Sequence, residues 1–366
     1  LVNWMDEEGM AGNLKEVNWE KLDMSVVSQV QLDSWEAIML RFFTSHTKAE
    51  LFKGATQRHI ALAPSYNFQD LLEDKHLASR SFWTKIEHPE LGIHVTYPGP
   101  AYLFSETPWK ISRRAPLVGE HNEEVLTDSP MPPLVKGVPK AGDFSLTFNE
   151  TDNISNPRGN QESQALGGIL VVDFSRVFIG PLVAKYLGDF GATVVKIESR
   201  TSPDLARVTA PYNGSKPHID RAGPFVVANS SKLSLGLNMS DKRGIEIARR
   251  LIAKADVIVE NFSPGVMERW GLSYEDVKKL KPDIIMFRHS IMGQTGPLCH
   301  HPAFGWNVNG LAGFNHSTGW PDREATGPSV PYPDFVAPWS GVVSILAALD
   351  YRRRTGRGQC IDQSQL

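Results

Sequence analysis

Residues 167–199, GGILVVDFSRVFIGPLVAKYLGDFGATVVKIES, contain the pattern that decides the fold. A continuous apolar run, a helical segment and a second apolar run follow one another directly. Pro181 fits the first position of a helix, and Gly191 fits its end. A buried strand, a helix and a second buried strand in this order predict a βαβ unit with parallel strands.

The same alternation continues downstream. We predict a helix from Asp241 to Lys254 with Ser240 as its N-cap, because apolar residues recur there on one stripe. The segments DVIVE at 256–260 and DIIMF at 283–287 supply two further apolar strands. Strands alternating with helices predict an α/β fold with a Rossmann-like, doubly wound parallel sheet. Such folds bind ligands at the carboxyl ends of their strands.

A stretch without helical or strand periodicity divides the chain. Residues 126–163 are rich in Pro, Gly, Asn, Asp and Ser, which predicts a largely irregular linker. The organisation is therefore a first region at 1–125, the linker, and the α/β lobe at 164–366. Within the first region, residues 84–120 carry many Pro and Gly, which predicts an extended arm packed over another part of the structure.

Two short helices are predicted ahead of that arm. Asp33 stands three residues before Glu36, a spacing typical of a capping box at a helix start. The segment TKAELFKGATQRH at 47–59 predicts a second helix. The first region is thus expected to be helical and then extended.

Composition excludes several classes of protein. The 366 residues carry a formal net charge of −3, so no basic surface indicates binding to nucleic acid or to an anionic membrane. Cys299 and Cys360 cannot form a disulfide framework, which favours a reducing, cytoplasmic location. We find no signal-peptide pattern and no apolar run of the roughly 18 residues that a membrane span requires. The chain begins with Leu1 and ends within an apparent strand, so we expect it to be part of a longer protein.

The loop ENFSPG at 260–265 follows a predicted strand and would lie at the ligand-binding edge of the sheet. Asn261 could present its amide to a ligand, and Phe262 could stack on a purine. Alternatively, Asn261 caps the turn and Phe262 packs in the core. The turn after the first strand, DFSRVFIGP, lacks the GxGxxG pattern, so a nicotinamide or flavin enzyme is poorly supported.

Five motifs occur in a characteristic order between about 166 and 366. They are VVDFSRVFIGPLVAKYLGDFGATVVKIESR, NSSKLSLGLNM, ADVIVENFSPGVMERWGLSYEDVKKLKPDIIM, GQTGP and LDYRRRTGRGQ. Together they resemble the amino-terminal half of the family III CoA-transferases, a family that also includes alpha-methylacyl-CoA racemases. Before the linker, FFTSHTKAELFKGATQRH and APLVGEHNEEVL resemble the carboxyl-terminal part of the same family. The resemblance implies a tandem protein, in which 1–125 ends a first repeat and 164–366 begins a second.

The resemblance also implies a coenzyme A site. The residues at matching CoA-contact positions are Arg176, Val177, Arg200, Leu237, Asn261, Phe262 and Arg269. The guanidinium of Arg269 suits a phosphate because its planar fork donates two hydrogen bonds at once. The alternative is that Arg269 is only a solvated charge on a helix.

The family aspartate falls on Asp334 in PYPDFVAPWSGVVSILAAL. The resemblance implies that Asp334 attacks an acyl-CoA thioester and that an aspartyl anhydride and then an aspartyl-CoA thioester form. Its place before a helix predicted to run to Ala348 favours the ionised, nucleophilic carboxylate. An aspartate at a helix start is also commonly just an N-cap.

Two alternative functions stay open. A racemase needs a histidine and an aspartate on opposite faces of one carbon, but its histidine position matches Phe304, with His300 and His301 out of register. A non-catalytic repeat that only binds CoA is the other alternative. The transferase interpretation implies acyl-CoA and a carboxylic acid as partners, no metal or redox cofactor, and an interlocked homodimer or an intramolecular pseudo-dimer.

Overall fold

The computed structural model describes residues 1–23, 26–99, 103–126, 164–214, 217–320 and 322–366. It divides into two compact units, Leu1–Ser81 and Phe82–Leu366. The division between these units falls after Ser81, whereas the predicted regions 1–125 and 164–366 stay a prediction. Apart from Leu126, the predicted linker lies outside the described residues. The assignment of the chain to two repeats stays a prediction.

The first unit is helical. Its helices are α1 (Val2–Glu7), a 3-10 helix (Gly12–Glu16), α2 (Gln29–Thr44), α3 (Lys48–Gln57), α4 (Phe68–Glu73) and α5 (Lys75–Ser79). Trp4 packs edge-on against Phe42 in its core, with ring centroids 5.1 Å apart. The predicted capping box at Asp33 is wrong, since α2 begins earlier with Ser28 as N-cap. The capping box lies at Thr47, where α3 begins as the second predicted helix.

The second unit opens with an antiparallel hairpin, β1 (Trp83–His88) and β2 (Ile93–Pro98), followed by α6 (Asn122–Leu126). A six-stranded parallel sheet follows. Its strands are β3 (Leu170–Asp173), β4 (Thr193–Glu198), β5 (Leu233–Gly236), β6 (Val257–Glu260), β7 (Ile285–Ser290) and β8 (Cys360–Ser364). The spatial order is β5-β4-β3-β6-β7-β8, which confirms the predicted α/β class with a doubly wound parallel sheet.

Helices cover both faces of this sheet. The helices that follow β3 in this unit are α7 (Ile179–Asp189), α8 (Gly223–Asn229), α9 (Lys242–Ile252), α10 (Val266–Arg269), α11 (Tyr274–Leu280), α12 (Gly305–Leu311), α13 (Phe314–Ser317) and α14 (Tyr332–Thr355). One buried cluster joins α9, α10 and α11 to the sheet, and a second joins α7 and α14 to its other face. The predicted start of α9 is one residue early, because Asp241 caps the helix by accepting from the Arg243 amide at 2.8 Å.

The helix α14 carries Asp334 near its start. It begins at Tyr332, so Asp334 lies inside the first turn, and it ends at Thr355, seven residues beyond the predicted Ala348. By length and composition alone, α14 is apolar enough to cross a membrane, which the sequence analysis did not anticipate. Its residues Val342 and Ile345 are buried in the cluster that it shares with α7 and the sheet, as expected of a core helix in a globular unit.

The Pro- and Gly-rich arm packs on the sheet of its own unit. The Gly119 amide near the end of the arm donates to Ser234 Oγ of β5 at 3.0 Å, and the His121 amide just after the arm donates to the Ser234 carbonyl at 3.1 Å. The Lys110 amide donates to the Asp189 carbonyl at the end of α7 at 3.1 Å. The arm therefore packs against the outer edge of β5. These contacts do not involve the carboxyl ends of the central strands.

The strand order locates a ligand-binding crevice. After β3 the chain proceeds to β4 and β5 on one side, and it then crosses to β6 on the other side. Loops from neighbouring strands diverge at such a switch point, which opens a crevice outside their carboxyl ends. Here the crevice lies where β3 and β6 end, at Asp173 and Glu260.

Candidate active site

A cavity of about 220 Å³ occupies this crevice. It lies at the carboxyl ends of β3, β6, β7 and β8, and the first residues of α7 and α14 also border it. The predicted site residues that line it are Val177, Asn261 and Asp334. Both helix N-termini present partial positive charge to the cavity, which favours an anionic group inside it.

Asp334 is the acidic side chain of the cavity wall. It is the third residue of α14, and the N-cap position is held by Pro331 with no side-chain cap bond, so the N-cap alternative is wrong. Gln365 Nε2 donates a hydrogen bond to Asp334 Oδ1 at 2.5 Å. Burial raises the pKa of Asp334, and the hydrogen bond from Gln365 acts in the opposite direction. Burial thus opposes the ionisation that the helix start was expected to favour.

Gly305 fixes how closely the chain approaches Asp334. A Cβ atom at this position would collide with Asp334 Oδ1 and would lie 2.8 Å from Pro331 Cβ. Only glycine fits at position 305, because the Asp334 carboxylate occupies the space that a side chain would need. The start of α12 in this way forms one side of the Asp334 environment.

The loop after β3 is held in an unusual conformation. Val177 has a φ of 69°, a value that a β-branched residue adopts only under constraint. Its amide donates to Asp204 Oδ1 at 2.8 Å, which fixes the strained residue from one side. Burial acts to raise the pKa of Asp204, but Lys196 and two backbone amides together hold that pKa below its ordinary value. Asp204 is thus an ionised acceptor that positions Val177.

Asn261 joins the two loops of the switch point. Its Oδ1 accepts from the Arg176 amide at 2.7 Å, and its Nδ2 donates to the Arg176 carbonyl at 2.8 Å. Asn261 therefore positions the loop after β3, and its side chain also lines the cavity. Asn261 thus bridges to the loop after β3 rather than capping its own turn, and its role in binding a ligand stays a prediction.

Buried charges under this loop were missed by the sequence analysis. Lys196 Nζ donates to the Ser175 carbonyl at 2.8 Å and lies 3.0 Å from Asp204. Lys232 Nζ pairs with Asp173 at 2.8 Å, and burial lowers the pKa of Lys232 to about 8 although Asp173 opposes the shift. A lysine within an apolar strand, as in ATVVKIES, was the available signal.

The other predicted CoA-contact residues do not line this cavity. Phe262 is half-buried against Trp270, with ring centroids 5.4 Å apart, and Leu237 is buried in the core. Arg200 and Arg269 are exposed beyond the ends of β4 and β6. Arg176 Nη1 donates to Ser202 Oγ at 3.0 Å, beside the strained loop. Their roles in binding CoA stay predictions.

His289 is a cavity residue that the sequence analysis did not identify. It lies near the end of β7 and is 3% exposed, and burial lowers its pKa to about 4. Phe304, at the position matched to the racemase histidine, also lines the cavity, whereas His300 and His301 are exposed and do not. The imidazole near Asp334 therefore comes from β7.

We find no cluster of three or more His, Cys, Asp or Glu side chains that could hold a metal ion among the residues the structure describes. Cys299 and Cys360 are both free. Among the described residues that line the cavity, Asp334 and His289 carry ionisable side chains.

Comparison with known proteins agrees with this architecture. A sequence model described as CoA-transferase family III matches residues 11–122 and 166–366. The alpha subunit of succinyl-CoA–L-malate CoA-transferase from Chloroflexus aurantiacus is 33% identical over 262 residues, which cover 69% of this chain and 56% of that protein. Acetyl-CoA:oxalate CoA-transferase from Acetobacter aceti is 38% identical over 200 residues, covering 54% of this chain and 50% of that protein.

A solved structure shows the same fold. A CAIB/BAIF family protein from Brucella suis superimposes with a TM-score of 0.51 at 34% identity, covering 55% of this chain and 53% of that one. The chain spans about half the length of the curated relatives that it matches.

Proposed function

Because this chain belongs to CoA-transferase family III, we propose that it moves CoA between an acyl-CoA thioester and a carboxylic acid, with Asp334 as the acyl-accepting nucleophile. The observation that supports this most is the placement of the Asp334 carboxylate. It lies in the cavity at the carboxyl edge of the sheet, in the first turn of a 24-residue helix, with Gln365 donating to one oxygen.

The proposed reaction exchanges activated acyl bonds. An Asp334 oxygen attacks the thioester carbonyl, the carbon–sulfur bond breaks, and CoA leaves as a thiolate. The thiolate then attacks the aspartyl carbonyl of the anhydride, which gives an aspartyl-CoA thioester and releases the donor acid. The acceptor carboxylate displaces CoA from this thioester to form a second anhydride. Attack of the thiolate on the acceptor's carbonyl yields the new acyl-CoA and frees Asp334.

The environment of Asp334 suits this role. Burial raises its pKa, which makes the ionised carboxylate a stronger nucleophile than an exposed one. The amide dipoles at the start of α14 stabilise the same anion. The half-buried position also limits the water that could hydrolyse an anhydride.

Three arginines are proposed to hold CoA outside the cavity. Arg176, Arg200 and Arg269 follow β3, β4 and β6, so all three lie on the carboxyl side of the sheet. Guanidinium groups bind phosphates through charge-assisted, bidentate hydrogen bonds. In this proposal the thioester end of CoA reaches Asp334 between Val177 and Asn261.

The test compares Asp334→Asn with the wild type in the full-length protein. Asparagine keeps the shape but removes the anionic oxygen, so CoA affinity measured by calorimetry should persist. Transfer of CoA, followed by chromatography of acyl-CoA products, should fall more than about 1000-fold. Asp322→Asn, at an exposed aspartate outside the cavity, is the matched control. Equal transfer rates in Asp334→Asn and wild type would refute the assignment.

Racemisation of a 2-methylacyl-CoA is a second candidate, favoured by the single observation that His289 lines the same cavity as Asp334. It is the weaker candidate because a histidine with a pKa of about 4 is a poor base and is rarely protonated at neutral pH. Incubation of a 2-methylacyl-CoA with the enzyme in deuterated water distinguishes the two. Deuterium at carbon 2 would favour the racemase, and its absence would favour the transferase.

We also propose that another repeat, in a homodimer or in the same polypeptide, covers part of this unit. Large apolar side chains are exposed on α12 and α14, including Trp306, Phe335 and Val343. Such residues in one region indicate an interaction surface. Light scattering on the full-length protein should show either a dimer or a monomer that contains both repeats.

A further inference from the structure

Arg288 joins two glutamates that lie at opposite ends of one loop. Its Nε donates to Glu260 Oε1 at 2.7 Å, and its Nη1 and Nη2 donate to the Glu268 carboxylate at 2.8 Å and 3.3 Å. Glu260 ends β6 and Glu268 lies in α10, so one guanidinium connects the two ends of the loop between them. We call these three side chains the arginine clamp.

The Glu260 end of the clamp is buried in the sheet. Glu260 is completely buried, Arg288 is 9% exposed, and the two residues face each other in the parallel pairing of β6 with β7. Burial raises the pKa of Glu260 to about 6, and the hydrogen bond from Arg288 opposes this rise, so the carboxylate is ionised at neutral pH. Breaking such a buried pair leaves an uncompensated charge, which is strongly unfavourable. Glu260 therefore holds Arg288 in place.

The first half of the loop is fixed without help from Glu268. Glu260 Oε2 accepts from the Phe262 amide at 2.7 Å, and Gln294 Nε2 donates to the Phe262 carbonyl at 3.3 Å. Asn261 is bonded to the amide and to the carbonyl of Arg176. These contacts hold Asn261 at the cavity whether or not the other end of the loop moves.

The second half of the loop depends on Glu268. The helix α10 has only four residues, and a helix this short is not stable by itself, so contacts to the rest of the chain set its position. Met267 anchors α10 in the core, and Arg288 holds the more exposed Glu268 beside it. Because Arg269 directly follows Glu268, the bond from Arg288 restricts where the exposed guanidinium of Arg269 lies.

The clamp and Asp334 lie on different faces of the sheet. The helix α10 packs on one face with α9 and α11, whereas α14, which carries Asp334, packs on the other face with α7. Successive residues of a strand point to opposite faces, so Arg288 points towards α10 and His289 points away from it. His289 lines the cavity and Arg288 does not. Arg288 therefore contacts the loop without contacting the cavity that holds Asp334.

We propose that Arg288 is a positioning residue for CoA: through Glu268 it holds Arg269 where that guanidinium binds a phosphate of the CoA nucleotide. Arg288 itself does not touch CoA. The inference rests on the proposed function, because it concerns how the same site holds its CoA substrate. It adds Arg288 and Glu268, neither of which the sequence analysis identified.

The first test measures the CoA affinity of the full-length protein by calorimetry, which requires no turnover. In Glu268→Ala the loop loses its bond to Arg288, and we expect the Kd for CoA to rise by about tenfold. Glu268→Gln removes the same charge but keeps an oxygen that accepts from Arg288, so it should recover part of the affinity. Equal losses in the alanine and glutamine variants would assign the effect to charge alone and overturn the clamp. Glu275→Ala, at an exposed glutamate in α11, is the matched control and should bind CoA like the wild type.

The second test separates the binding of CoA from the chemistry at Asp334. An acyl-pantetheine carries the thioester arm of CoA without the nucleotide and its phosphates. In Glu268→Ala the KM for an acyl-CoA should rise by about tenfold, while kcat stays within about twofold of the wild type. The kcat/KM for the matching acyl-pantetheine should change by less than about twofold, since Asn261 and Asp334 stay in place.

A double-mutant cycle checks that Glu268 acts through Arg288. Arg288→Lys keeps the positive charge, but a single ammonium does not reproduce the planar fork that reaches both carboxylates. In the Arg288→Lys background, Glu268→Ala should therefore raise the KM for the acyl-CoA little further, because the bond that it removes is already lost. Additive effects of the two substitutions would show that they act independently and would overturn the clamp.

The outcomes separate the clamp from the proposed function. Wild-type CoA affinity in Glu268→Ala, or an equal loss of kcat/KM with acyl-CoA and acyl-pantetheine, would overturn the role of Arg288 and leave the transferase intact. No transfer by the wild type, with no acyl group on Asp334, would refute the proposed function, and calorimetry would still test the clamp. A wild type that binds no CoA would refute both.

Discussion

The burial of His289 predicts a specific loss of stability in acid. Its pKa is about 4 in the folded chain against an ordinary value of 6.5, because burial disfavours the charged ring. Because the pKa is lower in the folded chain, the neutral ring contributes to the free energy of unfolding above pH 6.5, and this contribution is lost as the pH falls towards 4. Between pH 7.5 and 5.0 the unfolded chain takes up a proton that the folded chain does not. The loss from this residue alone is about 2 kcal/mol.

The assay is guanidinium unfolding of wild type and His289→Gln at pH 7.5 and 5.0, followed by circular dichroism. The two proteins share all other titrating groups, so the contributions of those groups to the pH dependence of the free energy of unfolding largely cancel in the comparison. The free energy of unfolding of wild type relative to His289→Gln should fall by about 2 kcal/mol on acidification. His301→Gln, at an exposed histidine, is the matched control. A difference that does not change with pH would refute the buried, neutral state of His289.

Three further predictions concern the residues around the carboxylate. Gln365→Ala removes the bond that lowers the pKa of Asp334, so the acid limb of the kcat/KM profile should move to higher pH. Gly305→Ala places a methyl group against Asp334 and should reduce kcat by about 100-fold while circular dichroism stays unchanged. Asp204→Ala leaves Lys196 buried without its partner and should destabilise the fold by about 3–5 kcal/mol, measured by denaturant unfolding.

For each of these three predictions, one experimental result would contradict the expected effect. A pH profile of Gln365→Ala that overlays the wild type would mean that the hydrogen bond does not tune the carboxylate. Full activity in Gly305→Ala would show that the chain has room to move away from Asp334. A wild-type unfolding midpoint in Asp204→Ala would show that Lys196 is solvated rather than held in a buried pair.

The sheet was largely predictable because its strands are continuous apolar runs. The segments LVVD, TVVKIE, VIVE and IIMF each produced a strand where one was expected. β5 was not predicted, since LSLG is short and follows a polar segment that contains Lys232. Helix starts were less predictable: Asp241 rather than Ser240 caps α9, and α14 begins before Asp334, because the choice between neighbouring capping residues depends on local backbone geometry.

The location of the site was predictable from the sequence, but some of the residues that line it were not. The rule that ligands bind at the carboxyl edge of a parallel sheet indicated Asn261, and the family resemblance indicated Val177 and Asp334; all three line one cavity. His289 and Gln365 gave no local signal, since each is a single polar residue at a strand end. The parallel pairing of β7 with β8, in which His289 faces Gln363, brings them to the same cavity. The sequence of either strand alone does not predict this pairing between strands that are distant in the chain.

Mass spectrometry of the trapped intermediate shows whether Asp334 carries the acyl group. The full-length protein is mixed with an acyl-CoA that supports transfer, and it is then quenched with hydroxylamine or borohydride and digested. We expect a hydroxamate or a reduced side chain on the peptide that contains Asp334, and no such product from Asp334→Asn. A turnover-competent enzyme that forms its adduct on another residue, or none at all, would contradict it.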